Sequence, residues 1–226
     1  MDSLNIDNLW VLNIAGVEIW ITETIFNTWL IMFFLIVLAI IARIKLRIFK
    51  EVPTGLQNFV EAVVEIFDNF ARNTLGEKLS YLAPWFFMVF IFILTSSLVS
   101  VFGIRAPTAD WATTFALAFV TFMLMIAMGL KHRKGDYLKS FFDPHPLFFP
   151  INLIGELAKP ISLSFRLFGN VLSGTIILTL YYALTPLIIQ IGIPAILHAF
   201  FDVLYGVLQT YIFVVLSLMY IKGALE

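Results

Sequence analysis

The sequence predicts an all-α integral membrane protein with five membrane helices and one amphipathic helix, the last two membrane helices long. Three observations predict it. Hydrophobic residues make up 61% of the 226 residues, against about 45–50% in soluble domains. Charged residues make up only 13%, too few to coat a soluble globule of this size. Five apolar stretches are each long enough to cross a hydrocarbon core, which needs about 20 residues of helix. The composition excludes a cytosolic enzyme, a disordered chain and a nucleic-acid binder. With no Cys, disulfides, Fe–S clusters and thiolate zinc sites are excluded as well.

The elements follow in order within one membrane domain, 1–226. Residues 1–23 form an outer N-terminal segment. Asp2 and Asp7 come early and Arg43 is the first basic residue, unlike the basic start of a secretory signal peptide. The spans are 24–42, 82–103, 111–130, 151–189 and 193–222. Residues 54–72 form an amphipathic helix: Leu56, Phe59, Val60, Val63, Phe67 and Phe70 follow helical spacing. Glu61, Glu65 and Asp68 lie off that stripe, and Thr54 is placed to cap its start. An acidic polar face suits docking on protein better than on anionic lipid. Trp20, Trp29, Trp85 and Trp111 lie near span ends, as interfacial anchors do.

Basic residues set the expected orientation. Arg43, Lys45, Arg47, Lys50, Arg72 and Lys78 separate the first two spans. Lys131, Arg133, Lys134, Lys139 and Lys159 follow the third, whereas the second connection holds only Arg105. Because cytoplasmic loops carry excess Lys and Arg, the N-terminus is expected outside and the C-terminus inside.

Arg166 breaks the pattern, for it lies well inside an apolar stretch. A charge at the bilayer centre costs about 2.5–3.5 kcal/mol on insertion scales, and Arg cannot escape by losing its proton. It must face water or a carboxylate. At about 100° per residue, Ser162, Gly169, Asn170 and Ser173 lie within roughly 60° of it, forming a small polar stripe. Within the chain, Glu156 and Asp202 are the candidate partners; a carboxylate from another subunit is the alternative. His198, Asp202, Gly206 and Gln209 share one face of the last segment.

SLSFRLFGN (162–170), with Arg166 and Asn170, resembles the signature of subunit a of F-type ATP synthases. GELAKP (155–160), PTADWATTFALA (107–118) and LQTYIFVVLSLMY (208–220) fit the same family, and Phe-Gly-Asn after Arg-Leu favours its bacterial or chloroplast type. The resemblance implies a stator subunit beside a rotating ring of c subunits, each with one membrane-buried carboxylate, and a b-subunit peripheral stalk. Two aqueous half-channels reach the membrane middle from opposite sides. Protons or sodium ions drive rotation through them, and the last two helices lie strongly tilted against the ring. Arg166 faces the ring carboxylate. Asn170, Gln209 and Asp110 match family positions of the ion path, with His198 and Asp202 beside them. Ser162, Gly169 and Ser173 would face the ring, with Gly174 packing against it. The expected setting is a bacterial plasma membrane.

The residues themselves leave simpler readings open. Asn170 and Gln209 also suit interhelical hydrogen bonding, Asp110 a helix cap, and Asp202 a partner that orients His198. Many family members carry Glu nine residues after the Arg, where this chain has Thr175, and many bacterial ones carry His seven residues before the Gln, where it has Asp202. We therefore expect Asp202 to be the relay of the outer half-channel. His132 and His145 lack a metal-site pattern, and no metal or cofactor is expected. No G-x-x-x-x-G-K-[ST] phosphate loop occurs, so direct ATP binding and catalysis are not expected. A secondary transporter would favour internal repeats, and none is found. An intramembrane enzyme would want a nucleophile and base or clustered metal ligands, which three scattered His without Cys do not offer.

Overall fold

The computed structural model describes residues 8–14, 17–46, 55–143, 145–186 and 192–225. It is an all-α membrane fold with five helices long and apolar enough to span a bilayer. One element departs from the helical expectation. β1 (Asn8–Ile14) and β2 (Val17–Thr22) pair antiparallel, with Val11 opposite Trp20 and Leu12 opposite Ile19. Val, Ile and Trp suit a pleated ladder.

The Thr22 hydroxyl accepts from the Ile25 amide and caps α1 (Glu23–Lys45). Most of α1 exposes apolar side chains such as Phe33 and Ile36, as a lipid-facing helix does. It is tied to the rest through buried Thr24, Asn27 and Ile31, and Asn27 Nδ2 donates to the Arg105 carbonyl at 3.0 Å.

α2 (Leu56–Leu75) is the amphipathic helix. Thr54, expected to cap it, lies outside the described residues; Gly55, at φ +59°, precedes the helix. The stripe docks on protein: the Phe67 ring sits 5.2 Å from Phe87, and Phe70 lies 5.8 Å from Tyr211. Phe59 does not join it and is 69% exposed. The buried line runs through Gln57, Ala71 and Leu75, and Phe59 lies roughly 150° around the helix from its centre.

A 3₁₀ turn (Glu77–Leu82) leads into α3 (Ala83–Val99), and Gly103, at φ +75°, closes a second 3₁₀ turn after it. α4 (Trp111–Arg133) follows Asp110 and runs three residues past the expected 130. The short α5 (Gly135–Ser140) folds back so that Tyr137 covers Gly129, where a Cβ would come within 2.8 Å of the ring.

α6 (Phe149–Leu184) has 36 residues, about 54 Å at 1.5 Å per residue. That far exceeds the roughly 30 Å hydrocarbon core, so the helix must tilt, bend or project beyond it. Pro160 lies inside the helix, not at its start. The helix ends at Leu184 and not at 189. Thr185 is extended, φ −97° and ψ 140°, because the following Pro186 disfavours helical backbone before it. Residues 187–189 lie outside the described residues. The last span, 33 residues, is not one regular helix. α7 (Ile193–His198) passes through a π-helical turn (Ala199–Leu204) into α8 (Tyr205–Leu225).

The core lies where α3, α4, α6 and α8 meet, around Phe86, Ile93, Met125, Leu167, Phe213 and Leu218. Three buried hydroxyls between them are satisfied locally: Thr121, Thr210 and Ser217 each donate to the carbonyl one turn back, whereas the buried Ser96 hydroxyl on α3 has no partner among the described residues. Thr114 and Ser164 join α4 to α6 at 3.2 Å. Small hydroxylated residues let helices approach closely and remain paired without water.

Candidate functional site: a polar path beside Arg166

Arg166 lies at mid-helix on α6, half-buried. Neither carboxylate in the chain that could neutralise it does so. Glu156 is paired with Lys159, and Asp202 Oδ2 lies 2.6 Å from His198 Nδ1. Among the described residues the guanidinium has no ion-pair or hydrogen-bond partner. Its neighbours on the stripe are open. Ser162 and Ser173 are exposed, and no heavy atom lies within 4 Å of a Cβ built on Gly169. Gly174 turns the other way: it is buried, and a Cβ there would touch the Phe201 side chain at 3.4 Å, so its close packing is internal.

One turn along α6, Asn170 Nδ2 donates to Gln209 Oε1 on α8 at 2.6 Å. Gln209 is 4% exposed, so this bond joins the two long helices in a nearly dry place. Its geometry depends on the close approach of α8 to α3 at Gly206, where a Cβ would lie 2.8 Å from Ser97 Cβ. Ser173 donates to the Asn170 carbonyl at 3.0 Å.

Beyond this clasp lies a cavity of about 330 Å³. Glu23, Arg105, Thr175, Thr179, Tyr182, His198 and Asp202 line it. A smaller space of about 20 Å³, lined by Ser97, Asn170, Gly206 and Gln209, adjoins it. Ser100, Val171 and Asp202 border both. Asp202 therefore stands between the larger cavity and the Asn170–Gln209 clasp. It sits on the π-helical turn, a local widening frequently found at functional sites. With the carboxylate ionised, His198 Nδ1–H donates to it. Nε2 is then left to accept from the Tyr182 hydroxyl, 3.3 Å away. Tyr182, His198 and Asp202 thus form a hydrogen-bonded series along the cavity wall.

Asp110 is placed apart from this series. Its Oδ1 accepts from the Ala112 amide at 3.0 Å and caps α4, while neighbouring Ala109 lines the cavity. Sequence reasoning missed Tyr182, Glu23, Arg105 and Ser100, because each reaches the cavity from a separate element. Tyr182 lies 16 residues after Arg166, and its place at the end of an apolar run reads as interfacial anchoring.

The fold and these cavities define a multi-pass helical membrane protein with cavities bordered by its last two spans and a cationic side chain, unpaired among the described residues, one turn from the Asn170–Gln209 bond. The sequence profile of the ATP synthase A chain family matches residues 25–222. ATP synthase subunit a of Trichlorobacter lovleyi is 38% identical over 204 residues, covering 88% of this chain and 85% of the relative. The Geobacter sulfurreducens subunit a is 36% identical over 209 residues, covering 90% and 88%. The Propionigenium modestum protein called "ATP synthase subunit a, sodium ion specific" is 36% identical over 222 residues, covering 91% and 74%. The chain belongs to the ATP synthase subunit a family: it is a non-catalytic, ion-translocating subunit of the membrane sector, and part of a complex with other subunits.

Proposed function

We propose that the subunit couples ion flow to rotation by holding Arg166 against a ring of c subunits. The observation that carries this reading is the Arg166 guanidinium, half-buried in an apolar span and unpaired among the described residues. A permanent internal pair would leave nothing for a moving carboxylate to meet. A fixed cation instead attracts each ionised ring carboxylate and favours release of its ion. The same charge is a barrier to cations leaking straight through. Attraction must stay transient, because a dry, tight ion pair would stall the ring.

The outer half-channel runs through the larger cavity. An ion passes the Tyr182–His198–Asp202 series, and Asp202 relays it toward the Asn170–Gln209 clasp and the ring. Asp110 holds the outer end of α4 beside the entrance. Ser162, Gly169 and Ser173 give the ring a smooth face. The chain is a single membrane domain in a bacterial plasma membrane, N-terminus outside and C-terminus inside, with a b-subunit stalk as its static partner. The available driving force is about 2.3 kcal/mol per charge per 100 mV.

The test is Arg166→Ala in the assembled complex. Ion-coupled ATP synthesis should be lost while hydrolysis by the detached catalytic sector is retained. Normal coupled synthesis in that variant would overturn the reading.

A further inference from the structure

The connection from α4 to α6 mixes two kinds of exposed side chain. α4 ends on Lys131, His132 and Arg133, and Lys134 follows. Lys131 and Lys134 are exposed, and Arg133 is half-buried. Large apolar side chains are exposed beside them in the chain: Leu138 on α5, Phe142 after it, and Leu147, 78% exposed, before α6. Of the two acids in this connection, Asp136 is paired with Lys139, and Asp143 follows Lys134 by nine residues.

Three contacts and angles give the segment a fixed form. The Lys131 ammonium sits over the Tyr81 ring, 5.7 Å from its centroid, and the Tyr81 hydroxyl donates to Met128 Sδ at 3.2 Å. One cation is thus held in place before any ligand arrives. Lys134 has φ +50° and ψ −121°, a backbone that suits Gly and strains a residue with a Cβ. A strained backbone beneath an exposed charge is an outlier that points toward function. The Phe142 ring stacks on Phe149 at 4.8 Å and 15°, which fixes the apolar part against the first turn of α6.

The boundary layer of a membrane matches this mixture. Hydrocarbon would strip the ammonium groups of solvent, and protein interfaces are depleted in Lys. At headgroup level, apolar groups enter the acyl boundary by about 5–10 Å while cations meet phosphate. On an anionic cytoplasmic leaflet each Lys or Arg gains about fivefold in affinity. The segment is also tied to the helix that carries Arg166. Asn152 Nδ2 on α6 donates to the Phe141 and Asp143 carbonyls at 3.0 and 2.9 Å. A helix longer than the bilayer is thick takes its tilt from such interfacial anchors as well as from packing.

We infer that the α4–α6 connection is an in-plane anchor for anionic phospholipid of the cytoplasmic leaflet. Lys131, Arg133 and Lys134 meet headgroup phosphates, Leu138, Phe142 and Leu147 enter the acyl boundary, and the anchor sets the tilt of α6. The anchor requires the orientation proposed above and not the rotary role of Arg166.

The chain has no Cys, so Leu147→Cys can carry a single environment-sensitive fluorophore. The whole complex, with partner subunits free of reactive thiols, is reconstituted with its catalytic sector outward. The vesicles are phosphatidylcholine alone or mixed equally with phosphatidylglycerol. In the mixed vesicles, lipid with a nitroxide near its headgroup should quench the label, and added iodide should not. Without phosphatidylglycerol, iodide quenching should rise and ATP-driven ion transport should fall, each by about threefold. Lys131→Gln/Lys134→Gly should behave that way even in the mixed vesicles. Its melting temperature should not fall, because Gly relieves the strain at 134, so misfolding does not account for the loss. Equal iodide quenching in both vesicles, or a native response to phosphatidylglycerol in the double variant, overturns the anchor. A label shielded from nitroxide lipid and iodide alike would place a protein partner on Leu147 and overturn it too. An impermeant maleimide that reached the thiol at 147 only from outside intact cells would remove the orientation, and with it the cytoplasmic anchor.

Discussion

The close approach of α8 to α3 makes a sharp test of how the path is held. In Gly206→Ala the new Cβ would lie 2.8 Å from Ser97 Cβ, whereas carbon atoms pack at about 3.5–4.0 Å. The helices must therefore separate locally by about 0.7–1.2 Å. Gln209 sits almost one turn further along α8, and its bond to Asn170 is 2.6 Å long. A displacement of that size along the bond takes it to about 3.3–3.8 Å, past the usual 3.2 Å limit. Overpacking of this kind costs about 1–3 kcal/mol. At about 2–4 °C per kcal/mol for a chain of this length, the melting temperature should fall by about 2–12 °C. Purified complex in detergent, followed by thermal denaturation, gives the first readout; ion-driven ATP synthesis in vesicles gives the second.

Ser97→Gly removes the atom that is struck, so Ser97→Gly/Gly206→Ala should regain most of both losses relative to Ser97→Gly alone. A coupling of about 1 kcal/mol or more between the two positions is expected from residues in contact. The reasoning would be refuted if Gly206→Ala melted and coupled like the native complex, or if Ser97→Gly gave no recovery.

Three further outcomes follow from the same geometry. Asp110→Ala removes the cap of α4 and should cost about 0.5–2 kcal/mol of stability, with Asp110→Asn or Asp110→Ser keeping most of it; equal melting of the Ala variant would show that the cap carries no weight. Asn170→Ala and Gln209→Ala should be strongly non-additive in melting temperature, because either one alone leaves a buried amide unmatched; simple additivity would mean that the two do not act as a pair. Asp202→Thr should lower coupled synthesis at least tenfold, and adding Thr175→Glu should recover part of it; full activity in the single variant, or no gain in the double, would remove Asp202 from the relay.

The membrane architecture was legible because hydrocarbon imposes it: apolar runs of span length have few alternatives, and a lone Arg166 within one stands out. The helical stripe placing Asn170 beside Arg166 follows from 3.6-residue periodicity alone. What lay beyond reach depends on packing across the chain. Glu23, Ser100, Arg105 and Tyr182 meet Asp202 only because α1, the α3–α4 connection, α6 and the π-helical turn converge on one cavity. The amphipathic stripe predicted which helix would dock but not its rotation, since the groove takes Gln57 and Ala71 and leaves Phe59 outside. The π-helical turn has no periodic signature in Ala199–Leu204, which reads as ordinary helix. The β1–β2 hairpin was overlooked because two short strands outside the spans carry little signal beside the apolar runs. Tyr137 gave no warning either: its burial depends on Gly129 leaving room for the ring.

The substitutions at 175 and 202 acquire a physical sense once the cavity is known. Relative to the family pattern, an acid is missing from α6 at Thr175 and another is gained at Asp202. Both positions line the same larger cavity, so the cavity keeps a carboxylate and only its tether changes. The change is not neutral in geometry. Position 175 borders the larger cavity alone, whereas Asp202 also borders the small space beside Asn170 and Gln209. A carboxylate on the π-helical turn can therefore exchange with water on one side and reach the interhelical clasp on the other. His198, one turn earlier, lies within hydrogen-bond distance and orients that carboxylate. For the proposed relay, the position of the acid matters more than its presence, because at 202 it borders both the larger cavity and the space beside Asn170 and Gln209.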